Sequence, residues 1–145
     1  MKNIFREGAI SAQFVGDAIA KHQNKTGIGA HEIFLGQVRA DQINDSNVKA
    51  IEYTAYEEMA NEKAHEIREA AFEKFDRTCM HIYHSLGKVN TGEICFFVFA
   101  SSPHRLAARE AVAYLVDIIK KEVPIFGKEL MDDSSHIWKE NKELS

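Results

Sequence analysis

Apolar and polar positions along this chain switch between two periods, and the switches divide it into segments. After Ser11, a residue type that caps helices, Phe14, Val15, Ala18 and Ile19 fall on one helical stripe. This predicts a short amphipathic helix fraying into the polar stretch Lys21 to Gly29. AHEIFLGQVR reads as a strand with Gly36 inside it, and RADQINDSNV as an exposed loop rich in Asp, Asn and Ser. In VKAIEYTAY, Ile51, Tyr53 and Ala55 alternate with Glu52, Thr54 and Tyr56, the period of a half-buried strand. From Glu57 to Phe75 the helical period returns, with Met59, Ala60, Lys63, Ala64, Ile67, Ala70 and Ala71 on one stripe.

CMHIYHSLGKVNTGEICFFVFA predicts a hairpin of two strands, Cys79–His84 and Glu93–Ala100, joined by a loop carrying Gly87 and Gly92. In SSPHR, Ser102 is the expected cap and Pro103 the first residue of a third helix running to about Glu122. Its core face would be Ala108, Ala111, Val112, Leu115, Ile118 and Ile119. The tail from Ile125 to Trp138 predicts one or two short strands around the DDSS turn. Helices and strands mix without a regular βαβ repeat, which predicts an α+β fold.

Composition narrows the function classes. A chain of 145 residues, 45% hydrophobic and 28% charged, suits one domain spanning residues 1–145. A net charge of -4 argues against a general polyanion binder, so any anion site must be local. Cys79 and Cys95 form no CxxC motif, as expected of reduced thiols buried in strands. MKNIFREGAIS has no apolar signal region and no stretch approaches a membrane span of about 18 apolar residues, so a cytoplasmic protein is expected.

Two basic clusters flank the third helix. In KKEVPIFGKEL, Lys120 and Lys121 complement the negative end of the helix dipole and Pro124 stops the helix. His104 and Arg105 lie at the opposite end, where cations are unfavourable. That pair is either an exposed one tolerated at a small cost or a set of donors for a phosphate or carboxylate. Arg39 ends a strand, where binding side chains are commonly displayed, although Asp41 or Asp45 would also suit it as a surface partner. His81 and His84 sit three apart on a strand and point to opposite faces, so no metal site is expected. No basic neighbour is evident for either cysteine, and no Gly-rich phosphate loop, GxSxG elbow or HExxH occurs.

Taken in order, FLGQVR, IEYTAYEEMA, HSLGKVNTGE, SSPHRLAA and KKEVPIFGKE make the chain resemble the large, catalytic subunit of molybdopterin synthase, from about Gly8 to Trp138. The resemblance implies an α/β-hammerhead type of α+β subunit without a cofactor. It implies a central homodimer in which each copy binds a small ubiquitin-like subunit ending in a Gly-Gly thiocarboxylate, a heterotetramer in all. The implied activity is insertion of two sulfurs into cyclic pyranopterin monophosphate, giving the dithiolene of molybdopterin.

By the same resemblance, Arg39, His104, Arg105 and Lys120 fall on the family's pocket positions, Lys120 meeting the thiocarboxylate and the others the phosphate or pterin. The chain departs from the pattern twice. His84-Ser85 stands where the family has His-Arg, and Gly127 stands where it has a lysine, with Lys128 following. In an extended strand Lys128 faces the other way unless Gly127 kinks the chain at positive φ, which makes Lys128 the second catalytic candidate. Two rival readings remain at this point: a non-catalytic relative that docks a ubiquitin-like partner or pterin phosphate, and an unrelated dimeric anion-binding protein.

Overall fold

A computed structural model describes residues 2–139. In chain order its elements are β1 (Phe5–Glu7), α1 (Ala12–His22), β2 (Ala30–Gln37), β3 (Gln42–Ile43), β4 (Ser46–Ala55) and α2 (Glu57–Lys74). There follow β5 (Cys79–Asn90), β6 (Ile94–Ser102), α3 (Arg105–Glu122), β7 (Ile125–Met131) and β8 (His136–Trp138). The sheet runs in the order β2-β6-β5-β4-β7-β8, with β1 parallel to β5 and β3 paired with β4. Three helices against this largely antiparallel sheet make the α+β fold that the sequence predicts. No helix among the described residues is long and apolar enough to cross a membrane.

The expected hairpin is longer than its apolar pattern, because β5 serves two neighbours. Its first half, Cys79–His84, pairs with β6, and its second half, Gly87–Asn90, pairs with β4. The change of partner falls at Gly87, whose φ of +81° lies where a side chain is strained. A Cβ there would also collide with the Glu7 carboxylate.

β6 is buried along almost its whole length, which explains the uninterrupted apolar run ICFFVFA. Phe97 and Phe99 face α1, packed with Val15, Phe14 and Ile19. Phe96, Val98 and Ala100 face the other way, into a core with Ala60, Ala64, Ile67, Ala111, Leu115 and Ile119. Both sides of this strand are therefore covered by the chain's own helices, and its hydrophobicity is no argument for a homodimer. Ala60, Ala64 and Ala71 bring α2 close, whereas Met59, expected on that stripe, is 59% exposed.

Two further expectations fail for identifiable reasons. The segment after Arg39 is a tight β3–β4 hairpin rather than a mobile loop, turning at Asn44 and Asp45, both at positive φ (50° and 66°). Ser102 does not cap α3, because it is the last residue of β6. Its hydroxyl accepts from Thr78 Oγ1 at 3.2 Å and its carbonyl accepts the Gly29 N–H at 3.0 Å. The helix starts two residues later, capped by His104 without a side-chain bond. Ser11 does cap α1, accepting the Phe14 N–H at 3.0 Å.

Candidate functional site

A cavity of about 570 Å³ opens where α3 ends and β2 bends away from β6. The bend is a register shift at Gly36 and Gln37, and a Cβ on Gly36 would meet Phe96 Cβ at 3.1 Å. Wall residues come from β2, β4, β5, β6, α3 and β7, and Leu35 and Phe126 leave 40% and 41% of their surfaces exposed beside it.

Lys120 enters the cavity from the last turn of α3, where the helix dipole favours a cation. Its pKa is nevertheless lowered, first by burial and then by the charge of Lys139, with Arg39 adding to the effect and Cys95 and Asp117 opposing it. Lys121, its neighbour, is exposed at the rim. Arg39 also lines the cavity and holds Asp41 through Nε–Oδ1 and NH2–Oδ2 contacts of 3.3 Å each. Such an exposed pair is worth at most about 1 kcal/mol, so it yields readily to a better anion.

The wall contributes three groups that sequence reasoning did not assign to a site. His84 is buried between the Tyr53 and Phe96 rings, and burial, with a smaller push from Lys120, drives its pKa down to about 4. Its Nδ1 lies 2.8 Å from the Ser85 carbonyl, which can only accept, so Nδ1 bears the hydrogen and Nε2 is bare in the neutral ring. Tyr53 donates to Cys95 Sγ at 3.3 Å, and the thiol reaches the Gly36 carbonyl at 3.4 Å. Burial raises the pKa of both groups, and for Cys95 it outweighs the opposing effects of the Tyr53 bond and the Lys120 charge. Cys95 is thus a protonated wall residue. Cys79, contrary to expectation, does have a cationic neighbour, Lys25 Nζ at 3.5 Å.

The third group is Lys139, a cavity residue just past β8. Its position depends on how β8 pairs with β7, which no local motif announces.

The remaining candidates lie elsewhere. Gly127 is not at positive φ and stays in register with Tyr53, so the anticipated kink is absent. Lys128 accordingly faces away from the cavity, with Nζ 3.2 Å from Glu52 Oε1 and 5.9 Å from the Trp138 ring centre. His104 and Arg105 occupy the opposite end of α3 from Lys120, a rise of roughly 22 Å at about 1.5 Å per residue. Ser85 has a fully buried hydroxyl without a hydrogen-bond partner and does not line the cavity, unlike His84 beside it. No cluster of three or more metal-ligating side chains occurs among the described residues.

Comparison with known proteins adds a family to this geometry. The family model described as MoaE protein matches residues 9–122. A protein of Drosophila willistoni named molybdopterin synthase catalytic subunit is 42% identical over 119 residues, covering 81% of this chain and 32% of that protein. Proteins of the same name from Bos taurus and Pyrococcus abyssi are 36% and 38% identical, over 79% and 72% of this chain. The chain spans 60% of the bovine protein and 70% of the archaeal one. Among solved structures, molybdopterin synthase from Staphylococcus aureus superposes with a TM-score of 0.82 at 28% identity, covering 97% of this chain and 99% of that one. A complex of subunits 1 and 2 of the molybdopterin-converting factor from Helicobacter pylori shares the fold, with a TM-score of 0.79 at 20% identity over 96% and 92% of the two chains.

Proposed function

The chain belongs to the MoaE family, and from that premise we propose that it is the catalytic subunit of a molybdopterin synthase. It takes sulfur from the C-terminal thiocarboxylate of a small ubiquitin-like subunit ending in Gly-Gly and delivers it to cyclic pyranopterin monophosphate, making the molybdopterin dithiolene. The observation that carries this reading is Lys120, partly buried in a cavity that also holds Arg39, within a protein whose overall charge is negative. Both reactants are anions at their reacting or anchoring ends, and partial burial makes the fixed charge of Lys120 count for more.

In this proposal Lys120 neutralises the thiocarboxylate and stabilises the charge that builds as sulfur leaves the acyl carbon. Its lowered pKa also brings the amine nearer to working pH, where it can exchange a proton. Arg39 exchanges Asp41 for the substrate's phosphate or pterin. Leu35 and Phe126, both lining the cavity and partly exposed, offer apolar contact to an extended Gly-Gly tail. Lys128 has a weaker claim, since it takes part only when its pairing with Glu52 opens. His104 and Arg105 join the site through a second copy of the chain, because their own α3 holds them roughly 22 Å from Lys120 at about 1.5 Å per residue. The working assembly is then a cytoplasmic homodimer of one-domain chains, residues 1–145, with a small subunit on each.

The test is incubation with cyclic pyranopterin monophosphate and a thiocarboxylated small subunit, followed by measurement of molybdopterin. Absence of product, with a partner that supports another synthase, overturns the proposal. Retained partner binding in that case favours the non-catalytic relative.

A further inference from the structure

Lys139 owes its place in the cavity to strand register. β8 runs antiparallel to β7, with Lys128 opposite Trp138 and Glu129 opposite Ile137. One further step along that register sets Lys139 beside Gly127, and the Lys139 N–H donates to the Gly127 carbonyl at 2.8 Å. Directly opposed residues of an antiparallel pair send their side chains to the same face. Lys139 therefore leans over the face on which Gly127 presents no side chain, and it lines the cavity together with Lys120. The site at Gly127 is itself tight, since an added Cβ would meet Ile51 Cγ2 at 3.0 Å and Tyr53 Cε1 at 3.3 Å. The space in front of it is left to the side chain from the neighbouring strand.

We propose that Lys139 and Lys120 form a two-ammonium clamp that holds one anionic group, a phosphate monoester or a thiocarboxylate, in this cavity. The identity of the anion rests on the function proposed above, whereas the clamp itself does not.

Two like charges sharing a half-enclosed space repel, and after burial Lys139 is the largest influence depressing the proton affinity of Lys120. An anion between them relieves that repulsion and gains charge-assisted hydrogen bonds from both. Among the described residues, the other charged groups lining the cavity are Arg39, Lys121, Asp41, Glu122 and Glu129. Arg39 and Asp41 satisfy each other, and the two glutamates balance only part of the lysine charge. Both lysines face one cavity from different elements, Lys120 from α3 and Lys139 from just past the end of β8.

The experiment compares the parent chain with Lys139→Ala and Lys139→Arg, using inorganic phosphate as probe and nuclear magnetic resonance of the Lys120 side chain as reporter. Lys139→Ala should raise the pH at which Lys120 titrates and weaken phosphate binding about tenfold or more, the loss expected for one charge-assisted bond. Lys139→Arg should retain most of the affinity. In the synthase assay, Lys139→Ala should raise one KM with little change in kcat. A rise for the pterin monophosphate identifies the clamped group as phosphate, and a rise for the partner subunit identifies it as the thiocarboxylate. Phosphate affinity unchanged in Lys139→Ala overturns the clamp. A parent protein that makes no molybdopterin while phosphate binding still depends on Lys139 defeats the proposed function and leaves the clamp standing.

Discussion

On one face of the sheet, α1 lies directly over Phe97 and Phe99, and rings from Phe14, Tyr83, His22, His31 and His81 close around them. On the other, α2 and α3 cover most of the strands, but α3 ends at Glu122 just where β2 bends away at Gly36. One face is filled and the other keeps a cavity, although the same strands supply both. Each face also carries a histidine whose pKa is driven down to about 4, the half-buried His81 towards α1 and the buried His84 in the cavity wall. Burial of imidazole thus accompanies both a closed aromatic layer and an open site, and what separates the two is the cluster of lysines at the helix end.

The largest expected effect breaks the filled face. Phe99→Ala removes a fully buried ring and should cost about 3–5 kcal/mol in urea unfolding, while molecules that remain folded keep the cavity and its activity. Lys120→Ala reverses that pattern: stability should change by no more than about 1 kcal/mol, and single-turnover molybdopterin formation should fall by about 10²–10³-fold. Lys121→Ala, at the exposed rim, should be nearly silent in the same assay. Near-normal turnover in Lys120→Ala would remove the distinction between the two faces.

The two histidines give a pH test. Each is neutral in the folded state and takes up a proton on unfolding, so each favours the unfolded chain as acidity rises. Their contribution to stability is intact above pH 6.5 and is lost as pH falls through about 4. For His84, the more deeply buried, the loss approaches about 3 kcal/mol. His84→Asn keeps a donor for the Ser85 carbonyl and should flatten the slope of stability between pH 6.5 and 4, and an unchanged slope would show that His84 does not titrate as described. The smallest effect is expected outside both regions: Lys128→Ala breaks a partly exposed pair with Glu52 and should cost less than about 1 kcal/mol. A dominant loss of turnover in that variant would move catalysis to the outer face of β7.

What the sequence shows of this architecture is what depends on neighbours along the chain. The α1 stripe and its Ser11 cap, the α3 core face and the alternation of β4 all follow from local period and composition. Ser102 misleads because its strand partner Ala30 and the Thr78 hydroxyl, both distant in sequence, already occupy it. Asn44 and Asp45 did carry a hairpin signal, residues that tolerate positive φ, but it was hidden in a run whose composition reads as loop. For the site, Arg39 and Lys120 were legible because each lies close to the end of a regular element. Lys139 was not, because its place depends on the register of β8 against β7, and His84 was not, because its environment is assembled from β4 and β6.

The bond between Tyr53 and Cys95 bears on how the proposed reaction keeps count of its sulfur. A wall thiol that ionised easily would attack the acyl carbon of the donor's thiocarboxylate, expel its sulfur as hydrosulfide and leave the chain joined to the donor tail as a thioester. Burial holds Cys95 protonated, so its wall offers the donor's acyl group no covalent resting place. Each sulfur transferred would then reach the substrate rather than being lost to the wall, and the chain would leave every cycle as it entered.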